Sequence, residues 1–307
     1  MNYRTDDTTL TLADLTSWSF NGTALAVLGH PIKHSVSPAM HNAALASLAG
    51  SSRDEFRSWK YFRFDVPPAR LPQALVELHR AGFHGLNLTV PHKVLAFDQL
   101  QEADTNTGEI GAANTLVRGS NGWRGCNTDG QGLSSALRAE LGVELRGAPV
   151  ILLGAGGAAR AAAVECLRQG CATLWIGNRT RANLETLLTV LSPVASEISR
   201  HGFDPAQPPA GLPAGAVLIN ATSAGLRPDD PAPIDLQRLP AGLKVFDMIY
   251  NPPQTALLKQ AVSLGLPAAN GLSMLVHQGA RSLEIWTGQS APVSVMMDAA
   301  RAALATS

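Results

Sequence analysis

The chain has 307 residues, 45% of them hydrophobic and 16% charged, so it is long enough for about two domains with sizeable cores. Its 24 basic and 24 acidic residues cancel to zero net charge, which argues against binding nucleic acid or a membrane surface through bulk charge. No apolar run approaches the roughly 20 residues of a membrane helix. We therefore expect neither nucleic acid nor a membrane as partner.

The three cysteines are odd in number and contain no Cys-x-x-Cys pair, which favours a reducing compartment and a cytoplasmic protein. Residues 1–16 are polar and acidic and lack the basic-then-apolar pattern of a signal peptide. They are predicted to belong to a ragged N-terminal extension that covers residues 1–22.

The first strand is predicted at 25–28, and Ser37-Pro38 then starts a helix. Ser35 and Ser37 thus lie at a strand-to-helix junction, where a helix N-terminus favours an anion. In a simpler interpretation, Ser37 only caps the helix and Ser35 is part of a loop. The three histidines between positions 30 and 41 lack carboxylate or cysteine partners at ligand spacing, so no metal is expected.

A strand at 59–65, an amphipathic helix at 68–81 and a strand at 85–88 follow. Pro91 then marks the first turn of another helix, which places Lys93 where the dipole disfavours a cation. This position favours the neutral amine and would ease proton exchange. An ordinary surface lysine fits the sequence equally well.

A β-hairpin is predicted over 114–125, because Asn121-Gly122 separates two short β-prone runs. The following helix opens at Asp129, which suits a simple N-cap role as well as a functional one. Residues 146–148 are the predicted boundary to a second domain.

The second domain opens with a β-prone run at 149–153, a glycine-rich turn and an alanine-rich helical pattern, the order of a nucleotide-binding β-turn-α unit. Gly154 suits the tight turn, Gly156 leaves room for a pyrophosphate, and Ala159 allows the helix to pack closely on the strand. The helix N-terminus offers N–H groups to phosphates. The alternative is an ordinary packed αβ turn.

The next strand, at 172–176, leads into a turn that contains Arg179 and Arg181. An NAD site usually carries an acidic residue about 20 positions after the glycines, to bind the ribose 2′-hydroxyl. Here the two arginines occur instead and suit a 2′-phosphate, which favours NADP over NAD. The alternative is a solvated basic loop.

Further strands and helices complete an α/β pattern, at 217–220, 243–248, 254–264, 272–286 and 293–304. Met274 and Gln278 share one face of the penultimate helix. A methionine there is typical of a core position as well as of a cofactor contact.

From about Leu25 to the C-terminus, these motifs occur in the order of the shikimate dehydrogenase family, which the chain closely resembles. The matching motifs are Gly29-His30-Pro31-Ile32-Lys33-His34-Ser35-Val36-Ser37-Pro38, Asn87-Leu88-Thr89-Val90-Pro91-His92-Lys93, Asn114-Thr115, Asn127-Thr128-Asp129-Gly130, the glycine turn and Asn178-Arg179-Thr180. The resemblance implies a substrate domain of residues 23–130 and 270–307, with α/β strands first and helices closing it. A Rossmann NADP-binding domain, 131–269, is inserted between them.

The resemblance implies the NADPH-dependent, reversible reduction of 3-dehydroshikimate to shikimate in the pathway to chorismate and aromatic amino acids. It also implies that Lys93 and Asp129 are the catalytic pair. The ammonium of Lys93 would stabilise the developing oxyanion and supply the proton. Asp129 would hold a substrate hydroxyl and keep Lys93 oriented.

The implied substrate-binding residues, with the two serines on the carboxylate, are Ser35, Ser37, Asn87, Thr89, Asn114, Asp129, Tyr250 and Gln278. The implied pyrophosphate and adenosine contacts are Gly154, Ala155, Gly156, Gly157, Ala158, Asn178, Arg179, Thr180 and Arg181. The implied contacts on the nicotinamide side are Thr222, Ser223, Met248, Gly271 and Met274.

One departure from the family pattern is Asn183, which stands where a further arginine is common; Arg181 is a candidate substitute. The alternatives are a quinate/shikimate dehydrogenase with relaxed substrate or cofactor choice, and a non-catalytic sensor of shikimate or a nucleotide. In each case the expected partner is a small molecule. The chain is expected to be a monomer or a homodimer.

Overall fold

The computed structural model describes residues 8–51, 53–227 and 229–306. They divide into two compact units: the chain up to Thr128 together with residues from Gln278 onward, and Asp129–His277. Each unit contains one β-sheet with helices, which confirms the predicted α/β class. Among these residues, no helix combines the length and the apolar character needed to span a membrane.

The strands of the first unit are β1 (Thr9–Leu10), β2 (Thr23–Gly29), β3 (Trp59–Asp65), β4 (Gly85–Leu88), β5 (Glu102–Ala103), β6 (Thr115–Arg118) and β7 (Trp123–Cys126). They form one mixed sheet in the order β1-β3-β2-β4-β6-β7-β5, in which β6 runs antiparallel to both of its neighbours. The helices in this part of the chain are α1 (Ser37–Gly50), α2 (Leu71–Arg80), α3 (His92–Leu95) and α4 (Thr105–Ile110). The structure thus confirms the predicted hairpin and adds β5 and α4, which are too short to show a periodic pattern.

Strand β3 is buried on both faces over residues 61–64, although only one of these faces carries purely apolar side chains there. Phe62 and Phe64 enter a hydrophobic core of the unit, whereas Tyr61 and Arg63 point to the opposite face, because successive side chains alternate across a strand. Helix α1 packs on β3. Its Asn42 side chain accepts the Tyr61 N–H at 2.8 Å and donates to the Tyr61 carbonyl at 3.0 Å. The Asn42 side chain thus pairs with the two backbone groups of Tyr61 that would otherwise bond to a neighbouring strand.

The N-terminal segment differs from the expected ragged extension. Strand β1 pairs in parallel with β3, and Trp18 packs edge-on against Phe62 and tilted against Phe83, with ring centroids 5.1 and 4.8 Å apart. From residue 9 to residue 20 the segment therefore contributes to the sheet and its core. The prediction was wrong there because its few apolar residues are spaced too widely to stand out by composition. Residues 1–7 lie outside the described part of the chain.

Trp18→Ala is expected to lower the free energy of unfolding by about 2 kcal/mol, less than for a fully buried tryptophan because the side chain is half-buried. Thermal and denaturant unfolding monitored by circular dichroism would measure the change. Trp18→Phe is the control, since it keeps an aromatic ring against Phe62 and Phe83. Equal stability of the alanine variant and the wild type would mean that the segment is the dispensable extension first expected.

The second unit begins with α5 (Asp129–Leu141). Its strands are β8 (Pro149–Leu153), β9 (Thr173–Gly177), β10 (Arg200–Phe203), β11 (Val217–Asn220), β12 (Lys244–Asp247) and β13 (Ala268–Asn270), and its further helices are α6 (Gly157–Arg168), α7 (Arg181–Leu191) and α8 (Ala256–Ser263). Helix α9 (Leu272–Thr287) begins in this unit and ends in the first, to which α10 (Val293–Ala305) also belongs.

The six strands of the second unit are all parallel, in the order β10-β9-β8-β11-β12-β13. This is the strand order of a nucleotide-binding doubly wound sheet, with its crevice between the carboxyl ends of β8 and β11. The four residues 150–153 of β8 are fully buried, as a central strand covered on both faces requires. The predicted glycine turn follows directly at that crevice.

Candidate active site

The two predicted carboxylate-binding serines lie at the start of α1. Ser37 is its first residue, Val36 holds the N-cap position, and no side chain caps the helix. The Ser35 hydroxyl accepts the Ser37 backbone N–H at 3.3 Å. The interpretation of Ser37 as the cap is therefore wrong, since Ser37 already lies inside the helix. Ser37 is buried and Ser35 half-buried.

Arg63 supplies a positive charge behind this loop. The residue is 6% exposed, and its guanidinium donates from Nη1 to the Ser35 carbonyl at 3.0 Å. A cation held in a low-dielectric setting strengthens the attraction of the loop for an anion. Sequence reasoning missed this role, although the signal was present: a charged residue stands between Phe62 and Phe64 in an otherwise aromatic strand.

Lys93 is half-buried and lies in the first turn of α3, as predicted, but that helix has only four residues. A helix of about one turn has only a small dipole, and Lys93 is about as near to its C-terminus as to its N-terminus. The dipole therefore gives little reason to expect a neutral amine. The Lys93 carbonyl accepts the Ala113 N–H at 2.9 Å, which ties α3 to the residues before β6. Next to it, His92 is fully buried with Nε2 2.8 Å from the Val66 carbonyl oxygen, and burial lowers its pKa, so its ring stays neutral.

A network of buried amides and hydroxyls joins three of the predicted substrate residues within the first unit. Asn114 donates from Nδ2 to Oε1 of Gln278 at 3.1 Å and accepts the Thr128 backbone N–H at 2.9 Å. Asn87 donates to the Asn114 carbonyl at 3.0 Å and to the Ser282 hydroxyl at 3.0 Å. Strands β4 and β6 and helix α9 are thus fixed together through polar side chains.

Sequence reasoning missed several members of this network. Tyr61 donates to Oδ1 of Asn87 at 2.7 Å, and Thr115 and Ser282 lie 2.7 Å apart through their hydroxyl oxygens. Thr89, also a predicted substrate residue, follows β4 in the loop that leads to α3 and is half-buried. No local pattern distinguishes a buried serine such as Ser282 from a surface one, because its partners come from distant parts of the chain.

In the second unit, the glycine turn has the geometry of a nucleotide site. Gly154 has φ of 116°, and a Cβ there would lie 2.8 Å from the Ala221 carbonyl oxygen, so only glycine fits. Gly156 is the N-cap of α6, and a Cβ at that position would meet no atom within 4 Å. The space beside this helix N-terminus therefore fits a phosphate group. Gly157 and Ala158 begin the helix, and Ala155 lies in the turn.

The loops after β11 and β12 are joined by a buried carboxylate. Asp247 accepts from Nδ2 of Asn220 at 2.9 Å and from the backbone N–H of Ile249 at 3.1 Å. Asn220 in turn accepts from the Thr222 hydroxyl at 2.7 Å. Burial raises the pKa of Asp247. This arrangement fixes the predicted nicotinamide-side residue Thr222 and the loop that follows Met248.

The remaining predicted residues of the second unit lie near the carboxyl ends of the same strands or at helix starts. A Cβ on Gly271 would lie 2.0 Å from the Met248 carbonyl oxygen, so this close approach requires glycine. Asp129 is the first residue of α5 and is buried, and burial raises the pKa of the half-buried Tyr250. Met274 is also buried and Ser223 exposed.

A cavity of about 460 Å³ adjoins the basic turn after β9, lined by Asn178, Arg179, Arg181, Leu184, Glu185, Leu188, Gly202, Phe203 and Asp204. Arg179 is exposed, and Thr180 is the N-cap of α7. Arg181 is also exposed and forms an ion pair with Glu185 at 2.7 Å, so its guanidinium already has a carboxylate partner. Two guanidinium groups thus border this cavity. The described residues contain no group of three His, Cys, Asp or Glu side chains that could hold a metal ion.

Comparison with known proteins identifies the family. A model of the shikimate dehydrogenase substrate binding domain matches residues 27–116, and one of the shikimate 5′-dehydrogenase C-terminal domain matches 271–301. The chain is 41% identical to a protein named shikimate dehydrogenase (NADP(+)) from Symbiobacterium thermophilum, over 92% of this chain and 95% of that protein. It is 40% identical to one of the same name from Methanopyrus kandleri, over 90% and 93% respectively.

A crystal structure of shikimate 5-dehydrogenase from Thermus thermophilus, in complex with NADP(H) and shikimate, matches the fold with a TM-score of 0.79 and 35% identity. The match covers 92% of this chain and 99% of that one. Since similarity of this degree extends over both units and nearly the full length of these proteins, the chain belongs to the shikimate dehydrogenase family.

Proposed function

We propose that the chain catalyses the reversible, NADPH-dependent reduction of 3-dehydroshikimate to shikimate. The observation that carries this proposal is the 41% identity, over 92% of the chain, to a protein named for that activity and cofactor. The polar network around Asn87 and Asn114 supports it, because a substrate with a carboxylate and several ring hydroxyls requires many hydrogen-bonding groups.

The residues of the second unit fit the NADP cofactor, whose reduced form would supply the hydride and whose oxidised form would accept it in the reverse reaction. The open space beside Gly156 and the N-terminus of α6 suits the pyrophosphate. Arg179 and Arg181, beside the 460 Å³ cavity, suit the 2′-phosphate. The other proposed cofactor residues are Gly154, Ala155, Gly157, Ala158, Asn178, Thr180, Thr222, Ser223, Met248, Gly271 and Met274. Because Asn183 replaces an arginine that is common in the family, the ratio of kcat/KM with NADP to that with NAD has to be measured.

Lys93 and Asp129 are the proposed catalytic pair. As negative charge develops on the carbonyl oxygen of the substrate, the Lys93 ammonium stabilises it and transfers a proton to it. The Asp129 carboxylate accepts a hydrogen bond from a substrate hydroxyl. In the direction of shikimate oxidation, the Lys93 amine takes the hydroxyl proton back.

Ser35 and Ser37 bind the substrate carboxylate in this proposal, aided by the charge of Arg63. The ring hydroxyls are bound by Asn87, Thr89, Asn114, Asp129, Tyr250 and Gln278. The first unit, which runs up to Thr128 and resumes at Gln278, is the proposed substrate domain, and Asp129–His277 is the proposed NADP domain, so the observed bounds differ from the predicted 23–130, 270–307 and 131–269. The proposed cytoplasmic location agrees with the three cysteines, which are all free and buried. The proposed oligomeric state is a monomer or a homodimer.

Replacing Ser35 and Ser37 together by alanine is expected to raise KM for shikimate about 10- to 100-fold with a smaller effect on kcat. Two hydrogen bonds to an ionised carboxylate are lost in the ground state and the transition state alike. Ser47→Ala, on the same helix, is the control. An unchanged KM in a folded double variant would mean that the serines only shape the loop.

The test of the function as a whole is a set of steady-state rates on shikimate and quinate, each with NADP and with NAD. The proposal expects the highest kcat/KM with shikimate and NADP. A higher value with quinate would identify a quinate/shikimate dehydrogenase. Binding without turnover in all four combinations would point to a sensor, the least favoured alternative, because a sensor has no need of both Lys93 and Asp129.

A further inference from the structure

We propose that Tyr61 is a positioning residue for Asn87. The Asn114 carbonyl decides which way the Asn87 amide is turned, and the Tyr61 hydroxyl holds its Oδ1 in place, so that Asn87 presents an oxygen acceptor to the substrate and no N–H donor. The inference rests on the proposed function, in which Asn87 contacts a ring hydroxyl. It goes beyond that function because it assigns the direction of the hydrogen bond and a residue, Tyr61, outside the predicted site.

The orientation of the Asn87 amide follows from its neighbours. One terminal atom lies 3.0 Å from the Asn114 carbonyl oxygen, which can only accept, so this atom must be the nitrogen Nδ2. The other terminal atom is then Oδ1, and the Tyr61 hydroxyl, 2.7 Å away, must donate to it. A flipped amide would place two oxygens 3.0 Å apart beside Asn114 and is excluded.

The two protons of Nδ2 are already used within the protein. They face three acceptors, which are the Asn114 carbonyl at 3.0 Å, the Thr115 hydroxyl at 3.1 Å and the Ser282 hydroxyl at 3.0 Å. Oδ1 has two lone pairs, and Tyr61 occupies one of them. What Asn87 can offer a ligand without breaking an internal bond is therefore the second lone pair of Oδ1.

The Tyr61 ring is buried and stacked, so the position of its hydroxyl oxygen is fixed. It is 1% exposed and stacks on His41, with centroids 4.2 Å apart and the planes within 5°. Burial lowers the pKa of His41 to about 3 and raises that of Tyr61, so the imidazole is neutral and the phenol keeps its proton. Asn42 binds both backbone groups of Tyr61, which fixes the start of the side chain as well.

This arrangement selects a ligand with a hydroxyl donor at the Asn87 position. A ring substituent that can only accept, such as a keto or ether oxygen, would face the second lone pair of Oδ1, and no hydrogen bond could form between the two oxygens. Because an unmade hydrogen bond in a buried site costs more than the bond contributes, the discrimination exceeds the strength of the contact itself.

The test is Tyr61→Phe, which removes the hydroxyl and keeps the ring stacked on His41. We expect KM for shikimate to rise about 10-fold, with kcat and KM for NADP within about 2-fold, because the lost contact acts equally on bound substrate and transition state. Thr107→Val is the control: it removes a buried hydroxyl that makes no hydrogen bond among the described residues. It should leave all constants unchanged.

A double variant separates positioning from a structural role. If Tyr61 acts through Asn87, then Tyr61→Phe combined with Asn87→Ala raises KM no further than Asn87→Ala alone. Independent, multiplying effects would overturn the proposal, as would an unchanged KM in Tyr61→Phe while the wild type oxidises shikimate. No oxidation of shikimate by the wild type would overturn the proposed function and the inference with it.

A measurement on the wild type covers the case in which Tyr61→Phe does not fold. Three analogues of shikimate, each with one ring hydroxyl replaced by fluorine, lack one hydrogen-bond donor in turn. For the analogue with fluorine at the ring position that contacts Asn87, we expect the wild type to bind about 10-fold more weakly than it binds shikimate. If Asn87→Ala also bound this analogue about 10-fold more weakly than shikimate, the assigned direction of the hydrogen bond would be contradicted. Recovery of equal affinity for that analogue and shikimate in Asn87→Ala supports it.

Discussion

Replacing Lys93 with alanine or methionine is expected to lower kcat at least about 100-fold, the lower bound for a positioned general acid, and to leave KM for NADP nearly unchanged. The ammonium has two roles in the proposed mechanism, since it stabilises the developing oxyanion and delivers the proton. In a variant, a water molecule can supply the proton, but it cannot supply the positive charge that the ammonium holds beside the oxyanion. Lys93→Met keeps the aliphatic part of the half-buried side chain, so a loss common to both variants is due to the amine.

Stopped-flow and steady-state rates of shikimate oxidation, with NADP saturating, measure this effect. Lys259→Ala, at an exposed position of α8, is the matched control for the loss of one positive charge. A Lys93 variant that folds, binds NADP and retains wild-type kcat would remove Lys93 from the catalytic pair.

Arg179→Ala is expected to lower kcat/KM with NADP about 10- to 150-fold and to leave the value with NAD nearly unchanged. The 2′-phosphate carries about two negative charges, and its contact with a guanidinium is a charge-assisted hydrogen bond. NAD lacks the 2′-phosphate, so the substitution removes no contact with it. For the wild type, we expect a preference for NADP of about two orders of magnitude or more.

Arg181→Ala is the internal comparison, for which a smaller effect is expected. Its guanidinium is bound to Glu185 on the same helix at 2.7 Å, and turning toward a phosphate means giving up or sharing that partner. Because exposed ion pairs of this kind are weak, the exchange is feasible but reduces the gain. If Arg179→Ala lowered kcat/KM equally with both cofactors, the arginine would be structural and the phosphate contact would lie elsewhere.

The sequence by itself was sufficient for the features that depend on neighbouring residues. Strand β4 and strand β11 were predicted with their observed bounds, because an apolar run ends at residues that favour a turn. The glycine turn at Gly154 and the α/β class follow from the same local rules, and resemblance to the family led to a function that the comparisons support. The roles of individual site residues remain predictions.

Only the tertiary structure decided which polar groups meet. The partners of Asn87 come from β3, β6 and α9, and Asp247 joins two loops that follow different strands. The docking of residues 9–20 on β3, and the position of Val36 rather than Ser37 as N-cap, were likewise settled by packing. The spacing of apolar residues and the residue types in turns act over a few neighbouring positions. Buried hydrogen bonds depend instead on which distant segments the topology places side by side. Tyr61 could therefore be predicted as a strand residue from the sequence, but its hydrogen bond to Oδ1 of Asn87 emerged only from the folded chain.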